Sequence, residues 1–361
     1  MKNVLRYIDK KIVMPYLPDK EWEQYYIFRD IAKKIYVAEG LDNSPAEIKK
    51  CFAERTDKWV FEKFYFKYTK PCVIEPLSGW AITEDGEAIP QAIWNNFING
   101  VNSSYLRFKF SKRKKIFVDS AIVLSYAWNN YWHFYNDILG QLRIADEFGI
   151  STDTPIVINT GVQRMDYFND IVGSSLSLRN RNWLFHESDV EIHCKTAHFF
   201  NTYWDKRANF DAVLDYVEFE NADQYFLNRR IFIARNPKRG RNVTNLDSVV
   251  SLLNKYSFEI IDCDGMSVGQ QAELFRNASH VIGIHGAGLT NIVYRKNRPM
   301  KLLEIFSKDF FNPPYFWLCQ QYNFDYHSMV AGGSNNPDDA NGNFMIDTGV
   351  LEQKIKALLA V

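Results

Sequence analysis

The chain is 361 residues long, which fits two domains better than one. With 46% hydrophobic and 24% charged residues it belongs with folded globular proteins, and a disordered class is excluded. Lys plus Arg and Asp plus Glu both number 43, and that zero balance argues against a general nucleic-acid binder.

Residues 1–70 read as a helical N-terminal extension. Trp22, Tyr25, Tyr26, Ile31, Ile35 and Tyr36 stand at near-helical spacing over residues 21–40, and Gly40 can end that helix. Its apolar face is expected to pack on the protein's own core, with a peripheral membrane contact as the alternative. The first seven residues lack the apolar region of a signal peptide, and no stretch reaches the ~20 apolar residues that span a bilayer. Five cysteines, at 51, 72, 194, 263 and 319, are scattered and odd in number, which suits unpaired thiols in a reducing compartment. The expected location is cytoplasmic, extending to the inner face of the membrane.

Residues 71–214 mix strand-like and helical stretches and predict an N-terminal α/β domain. Residues 115–118, 121–124 and 155–158 read as strands, and 129–148 as one helix. Over 215–330 the alternation is cleaner. Strands are expected at 230–234, 258–261, 280–284 and 301–306, with helices at 246–256, 268–277 and 289–294. Strands alternating with helices imply a parallel, Rossmann-like sheet. Residues 331–361 supply a polar loop and a closing helix over 348–359.

Three constellations carry candidate chemistry. At the end of the 280–284 strand, His285-Gly286-Ala287-Gly288 form a small-residue turn into a helix. Such a turn presents backbone N–H groups and the positive end of a helix dipole, which suits a diphosphate. Glu304, near the end of the next strand, can face the same crevice and accept from ribose hydroxyls. The pattern is neither Gly-x-Gly-x-x-Gly nor a Walker loop. Next, six of the thirteen residues from 229 to 241 are Arg or Lys. Among them Arg235, Lys238, Arg239 and Arg241 lie just beyond a strand, where guanidinium forks can hold phosphate oxygens. Finally, His133 and Asp137 share a helix face at i,i+4, where a carboxylate can orient an imidazole acting as a base. The bland readings of these groups are a packing histidine, a solvated basic loop and a helix-surface ion pair. Asp262-Cys263-Asp264 mimics an Asp-x-Asp metal motif but reads as a turn, so no metal site and no bound cofactor are expected.

The order His285-Gly286-Ala287-Gly288-Leu289-Thr290-Asn291 resembles the signature of glycosyltransferase family 61, here of a bacterial, surface-polysaccharide type. Asn129-Asn130-Tyr131-Trp132-His133-Phe134 with Asp137 resembles that family's N-terminal motif. Arg235, Arg241 and Asn245 match its Arg…Arg…Asn loop, and Gln271 with Leu274-Phe275 and Glu304 follow its spacing. The resemblance covers about residues 72–361. It implies a GT-B-like architecture, two Rossmann-like domains facing a cleft. It also implies an inverting, metal-independent transfer from a nucleotide-sugar, a UDP-sugar above all, to a glycan or glycolipid hydroxyl. Donor contacts would come from Arg235, Arg241, Asn245, His285, Gly286, Ala287, Gly288, Asn291 and Glu304. Acceptor contacts would come from Asn130, Tyr131 and Trp132, and the base would be Asp137 or His133. Two other classes stay open: a non-catalytic nucleotide- or sugar-binding protein, and a nucleotide-sugar-modifying enzyme. The latter should carry a dinucleotide glycine fingerprint, and none is present.

Overall fold

The computed structural model of the chain describes residues 21, 23–33, 36–37, 39–58, 60–74, 80–89, 112–124, 130–187, 189–202, 207–217, 228–235, 240–308, 311–332 and 342–360. They fall into two units. One draws on Met1–Ile31, Glu62–Trp204 and Asp215–Glu218, the other on Ala32–Phe61, Asp205–Leu214 and Phe219–Val361. Lys238, Arg239, Asn129 and residues 333–341 of the polar loop lie outside the described residues.

The first unit is built on a mixed sheet. Its strands are β1 (Tyr26–Lys33), β2 (Val60–Tyr68), β3 (Cys72–Ile74), β4 (Ala81–Thr83), β5 (Lys114–Val123), β6 (Ile156–Asn159), β7 (Trp183–His186) and β8 (Val190–Asn201). Their order is β1-β2-β8-β5-β6-β7, and β3 joins β8 while pairing with β4. β8, β5, β6 and β7 run parallel, whereas β2 and β3 are antiparallel to β8. The expected strands at 115–118 and 121–124 are one continuous strand.

The helical reading of residues 1–70 is corrected here. The stretch expected as a helix over 21–40 contains strand β1. Tyr, Ile and Phe are good strand formers, and their spacing satisfied a helical template only by coincidence. Tyr26 sets its ring edge-on against Phe64 and Phe66, which are β2 residues, at 5.7 and 5.2 Å. A helix does exist further on, Ala46–Lys58, with Ile48 and Phe52 fully buried, but it belongs to the second unit. There Phe52 stacks on Phe316, and Tyr36 stacks on Trp317 at 4.7 Å.

The second unit holds β9 (Arg229–Ala234), β10 (Glu259–Asp262), β11 (Ala278–Ile284), β12 (Lys301–Phe306) and β13 (Asp325–Val330). All pair in parallel in the order β10-β9-β11-β12-β13. Counted within this unit, that is 2-1-3-4-5, a doubly wound order whose reversal point lies between β9 and β11. On one face Phe232, Ile282, Ile284, Leu303, Ile305 and Met329 pack against Val249, Leu253, Leu351 and Ile355 of helices Leu246–Lys255 and Thr348–Leu359. The alternation of a strand sends Gly283 and Glu304 to the other face.

Candidate functional site

Ligands of doubly wound sheets bind beyond the carboxyl ends of the strands at the reversal point. Here that place is bounded by Arg235, one residue past β9, and His285, one residue past β11. Arg235 Nη1 donates to the His285 carbonyl at 3.1 Å, and Arg241 Nη1 donates to the same oxygen at 2.6 Å. Two guanidiniums therefore converge on the turn that the sequence singled out. Arg241 adopts φ +56°, a left-handed conformation disfavoured for a side chain of its size, directly after Gly240 at φ +70°. Burial lowers the Arg241 pKa from its ordinary value, a direction only partly opposed by Tyr315 and Glu304.

At Gly286 a β-carbon would overlap Nη1 of Arg235, so the absent side chain lets that guanidinium lie against the turn. At Gly288 a β-carbon would meet only Ile233 Cγ2, at an ordinary 3.6 Å. The helix after the turn is a 3-10 helix, Ala287–Arg295, rather than an α-helix over 289–294. Asn291 is fully buried and donates to Gln271 Oε1 at 2.8 Å and to the Gly288 carbonyl at 3.2 Å. It braces the turn from beneath.

His285 and Glu304 do meet. Gly283 pairs with Glu304 across the parallel β11–β12 ladder, and a β-carbon at 283 would overlap the Leu289 side chain, which packs into that space. His285 Nδ1 lies 2.6 Å from Glu304 Oε1, and the Tyr326 hydroxyl donates to Oε2 at 2.6 Å. Glu304 is 0% exposed with both oxygens engaged. The expectation that it reaches a ribose directly gives way to a different geometry: the carboxylate holds His285, and His285 borders the turn. Burial lowers the His285 pKa, opposed by Glu304 and reinforced by Arg241 and Arg235, a shift that favours the uncharged ring. With Nδ1–H directed at the carboxylate, Nε2 is the acceptor nitrogen.

Two residues the sequence reading missed complete this region. Tyr326 comes from β13, and Tyr315 from helix Pro314–Tyr322 donates to the Gly286 carbonyl at 2.7 Å. That helix buries residues on every side, so it shows no amphipathic period, and only a proline at its start signals it. Asn245 is placed elsewhere. Its side chain makes a reciprocal pair with the Ile346 backbone, at 2.8 and 3.0 Å, and ties two segments together. Of the other basic residues, Arg229 is paired to Glu259 and Arg230 donates to the Tyr256 carbonyl. Asp262-Cys263-Asp264 is a turn, with the Asp264 N–H donated to Asp262 Oδ1 at 2.9 Å. Among the described residues no cluster of three or more His, Cys, Asp or Glu could hold a metal.

The His133–Asp137 constellation lies in the first unit. The expected helix over 129–148 is a helical run whose middle, Phe134–Leu139, opens into π turns between Tyr131–His133 and Gly140–Glu147. Asn130 caps its start, accepting from the Trp132 N–H at 2.8 Å. Single π turns recur at functional sites because they re-aim one side chain. His133 Nδ1 lies 2.6 Å from Asp137 Oδ2, while Asn136 Nδ2 donates to Oδ1 at 3.0 Å. The Asp137 side chain is 1% exposed and that of His133 is 21% exposed. Asp137 thus orients and His133 faces outward. Trp132 is buried, and the half-buried Tyr131 contacts Tyr135 and Tyr167 at 4.9 and 5.4 Å. Residues two apart on a helix do not share a face, so Tyr131 does not sit beside His133.

The family model for glycosyltransferase 61 matches residues 81–301, more than half of the chain. The chain belongs to glycosyltransferase family 61. It is a glycosyltransferase, and both constellations fall within the matched span except Glu304 and the residues after it. Among solved structures it is similar to the E. coli heptosyltransferase WaaC with ADP, at 10% identity over 66% of this chain and 97% of that chain. The TM-score is 0.30, a likeness too loose to carry an argument. No curated protein matches. Among the described residues no helix is long and apolar enough to cross a membrane.

Proposed function

We propose that this protein is an inverting glycosyltransferase that moves a sugar from a UDP-sugar to a glycan or glycolipid hydroxyl, without a bound metal, in surface polysaccharide synthesis at the cytoplasmic face of a membrane. The observation that carries this reading is the convergence of Arg235 and Arg241 on the His285–Gly288 turn at the reversal point of a parallel sheet. Backbone N–H groups of the turn and the two guanidiniums would hold the diphosphate. They supply the positive charge that a divalent cation would otherwise bring to the leaving group.

In this reading His133 is the base. The acceptor oxygen attacks the anomeric carbon from the side opposite the diphosphate. The bond from that carbon to the phosphate oxygen breaks, its electrons stay with the nucleoside diphosphate, and the hydroxyl proton passes to His133 Nε2. Asp137, held by Asn136, fixes the ring and stabilises its charged form. The reaction requires both units to face one cleft in a GT-B arrangement.

The experiment is a ligand-shift screen against UDP-, GDP-, CMP- and dTDP-sugars, followed by transfer assays with and without EDTA. UDP-sugars should give the largest shift, and EDTA should leave turnover unchanged. Arg241→Ala should weaken UDP binding by about 2–5 kcal/mol, and uridine binding by less, because only UDP has the diphosphate. A GDP- or CMP-selective response would overturn the nucleotide assignment. Binding with no transfer to any acceptor would leave a sugar-nucleotide-binding protein.

A further inference from the structure

Cys72 and Cys194 stand directly opposite each other in the antiparallel β3–β8 pair. Their sulfurs are 3.4 Å apart, and the Cys194 thiol also points at the Cys72 carbonyl. The sequence gives no hint of this, since 122 positions separate the two. Both residues are buried, yet both line a surface pocket of about 310 Å³, beside the exposed ring of Phe117. The pocket is lined by both cysteines, whose sulfurs are almost in contact. The remaining cysteines, Cys51, Cys263 and Cys319, are free thiols without such a neighbour among the described residues.

We propose that Cys72 and Cys194 form an oxidisable dithiol site that closes to a disulfide when a small disulfide enters this pocket. The exchange is balanced as follows. One cysteine loses its proton to solvent, and its thiolate attacks one sulfur of the small disulfide. That sulfur–sulfur bond breaks, and the departing half leaves as a thiol after taking a proton. The second cysteine then loses its proton and attacks the protein sulfur of the mixed disulfide, forming the Cys72–Cys194 bond and releasing the other half as a second thiol. Two electrons pass from the protein pair to the small disulfide. The hydrogen bond with Cys194, followed by burial, holds the Cys72 pKa well above the ordinary thiol value, so the reaction should be slow at neutral pH and faster as pH rises. Lys195 and His193 on β8, Asp119 on β5 and Glu84 beyond β4 are the charged or titratable groups that line the same pocket.

The closed form ties the short β3–β4 hairpin to the central strand of the first unit and restricts a long loop in the unfolded chain. It belongs to neither candidate constellation, so it should stabilise the fold without changing nucleotide binding.

The test exposes the full chain to cystamine at pH 8.5, then denatures it, alkylates it and counts thiols by intact mass. Exactly two of five thiols should be lost, peptide mapping should join Cys72 to Cys194, and Tm should rise by about 5–10 °C. Cys72→Ala and Cys194→Ala should each lose no thiol pair. Should either variant fold poorly, thiol counting on the native chain during the time course still decides the matter. Five intact thiols after prolonged exposure, a crosslink between other cysteines, or closure only in urea would each overturn the proposal.

Discussion

Gly286→Ala tests the donor site without replacing a charged group. The new β-carbon would overlap Nη1 of Arg235 and lie 3.4 Å from its Cζ. An ordinary nonbonded contact needs about 3.5 Å, so the guanidinium tip must retreat by roughly 1 Å or more. That lengthens its 3.1 Å bond to the His285 carbonyl beyond hydrogen-bonding range. The obstacle is the far end of a flexible side chain, and Gly286 has an extended φ of 165° that alanine can adopt. The fold should survive with a Tm within about 2 °C of the parent. If Arg235 contacts the diphosphate, losing one charge-assisted hydrogen bond costs about 1.5–3 kcal/mol, or about 10- to 150-fold in UDP affinity. Calorimetric titration with UDP and uridine separates the two parts of the ligand, and uridine affinity should stay unchanged. In an Arg235→Ala background the same substitution should be nearly silent, because its target is gone. Additivity within about 0.5 kcal/mol between the two changes, or unchanged UDP affinity in a folded Gly286→Ala protein, would refute the reasoning.

Three further outcomes are expected. His133→Ala and Asp137→Asn should each cut transfer by about 10²–10⁴-fold while sparing UDP affinity, measured separately, and near-normal transfer in both would move the base elsewhere. His198 is buried between the Tyr65 hydroxyl and Ser120 Oγ, both at 2.8 Å, and burial lowers its pKa to about 4, with Lys67 adding to the effect. The unfolded chain takes up that proton near pH 6.5, so this contribution is intact above pH 6.5 and is lost as pH falls towards 4. Urea midpoints at pH 7.5 and 4.5 should show the drop, and it should shrink in His198→Gln. Trp317→Ala should destabilise the protein by about 3–5 kcal/mol in chemical denaturation, since the ring is buried against Tyr36 and Phe61. A loss under 1 kcal/mol would detach residues 36–61 from the second unit's core.

The second unit was legible because β9 to β12 are short apolar runs separated by helices with one apolar face. The closing helix, Thr348–Leu359, was read to the residue for the same reason. The meeting of His285 with Glu304 followed from two adjacent strand ends. What escaped had no period to find. β8 does alternate over its first half, where Glu191, His193 and Lys195 stand between Val190, Ile192 and Cys194, but Ala197, Phe199 and Phe200 break the stripe in its second half, and the strand was passed over. Helix Pro314–Tyr322 is buried at every position but Gln320 and Gln321, so no polar face marked it, and with it went Tyr315 and, one strand later, Tyr326. β1 was misread because isolated aromatic spacing fits either template, and contact with β2 decides it. The Arg…Arg…Asn spacing pointed to three ligand contacts, yet Asn245 spends its amide on Ile346.

An i,i+4 spacing leaves the choice between His133 and Asp137 open, and the structure adds that Asp137 is the more deeply buried of the two. The chain builds the same device twice. In both, a histidine Nδ1 lies 2.6 Å from a carboxylate that is at most 1% exposed. In both, a neutral donor occupies the second oxygen, Asn136 in one and Tyr326 in the other. The surroundings then diverge. His285 is buried beside Arg241 and Arg235, which add to the effect of burial and keep it uncharged. A base must become a cation as it takes the acceptor's proton, and two nearby guanidiniums oppose that in His285. Its neutral ring instead leaves the positive charge of the turn to the arginines, where a diphosphate would need it. His133 has the Asp137 carboxylate as a partner and a side chain that is 21% exposed, so in the proposed reaction Asp137 would balance the charge gained in proton transfer. The two dyads therefore share one hydrogen-bond pattern and differ in what surrounds it, and the proposed division of labour puts the base at His133 and the diphosphate contact beside His285.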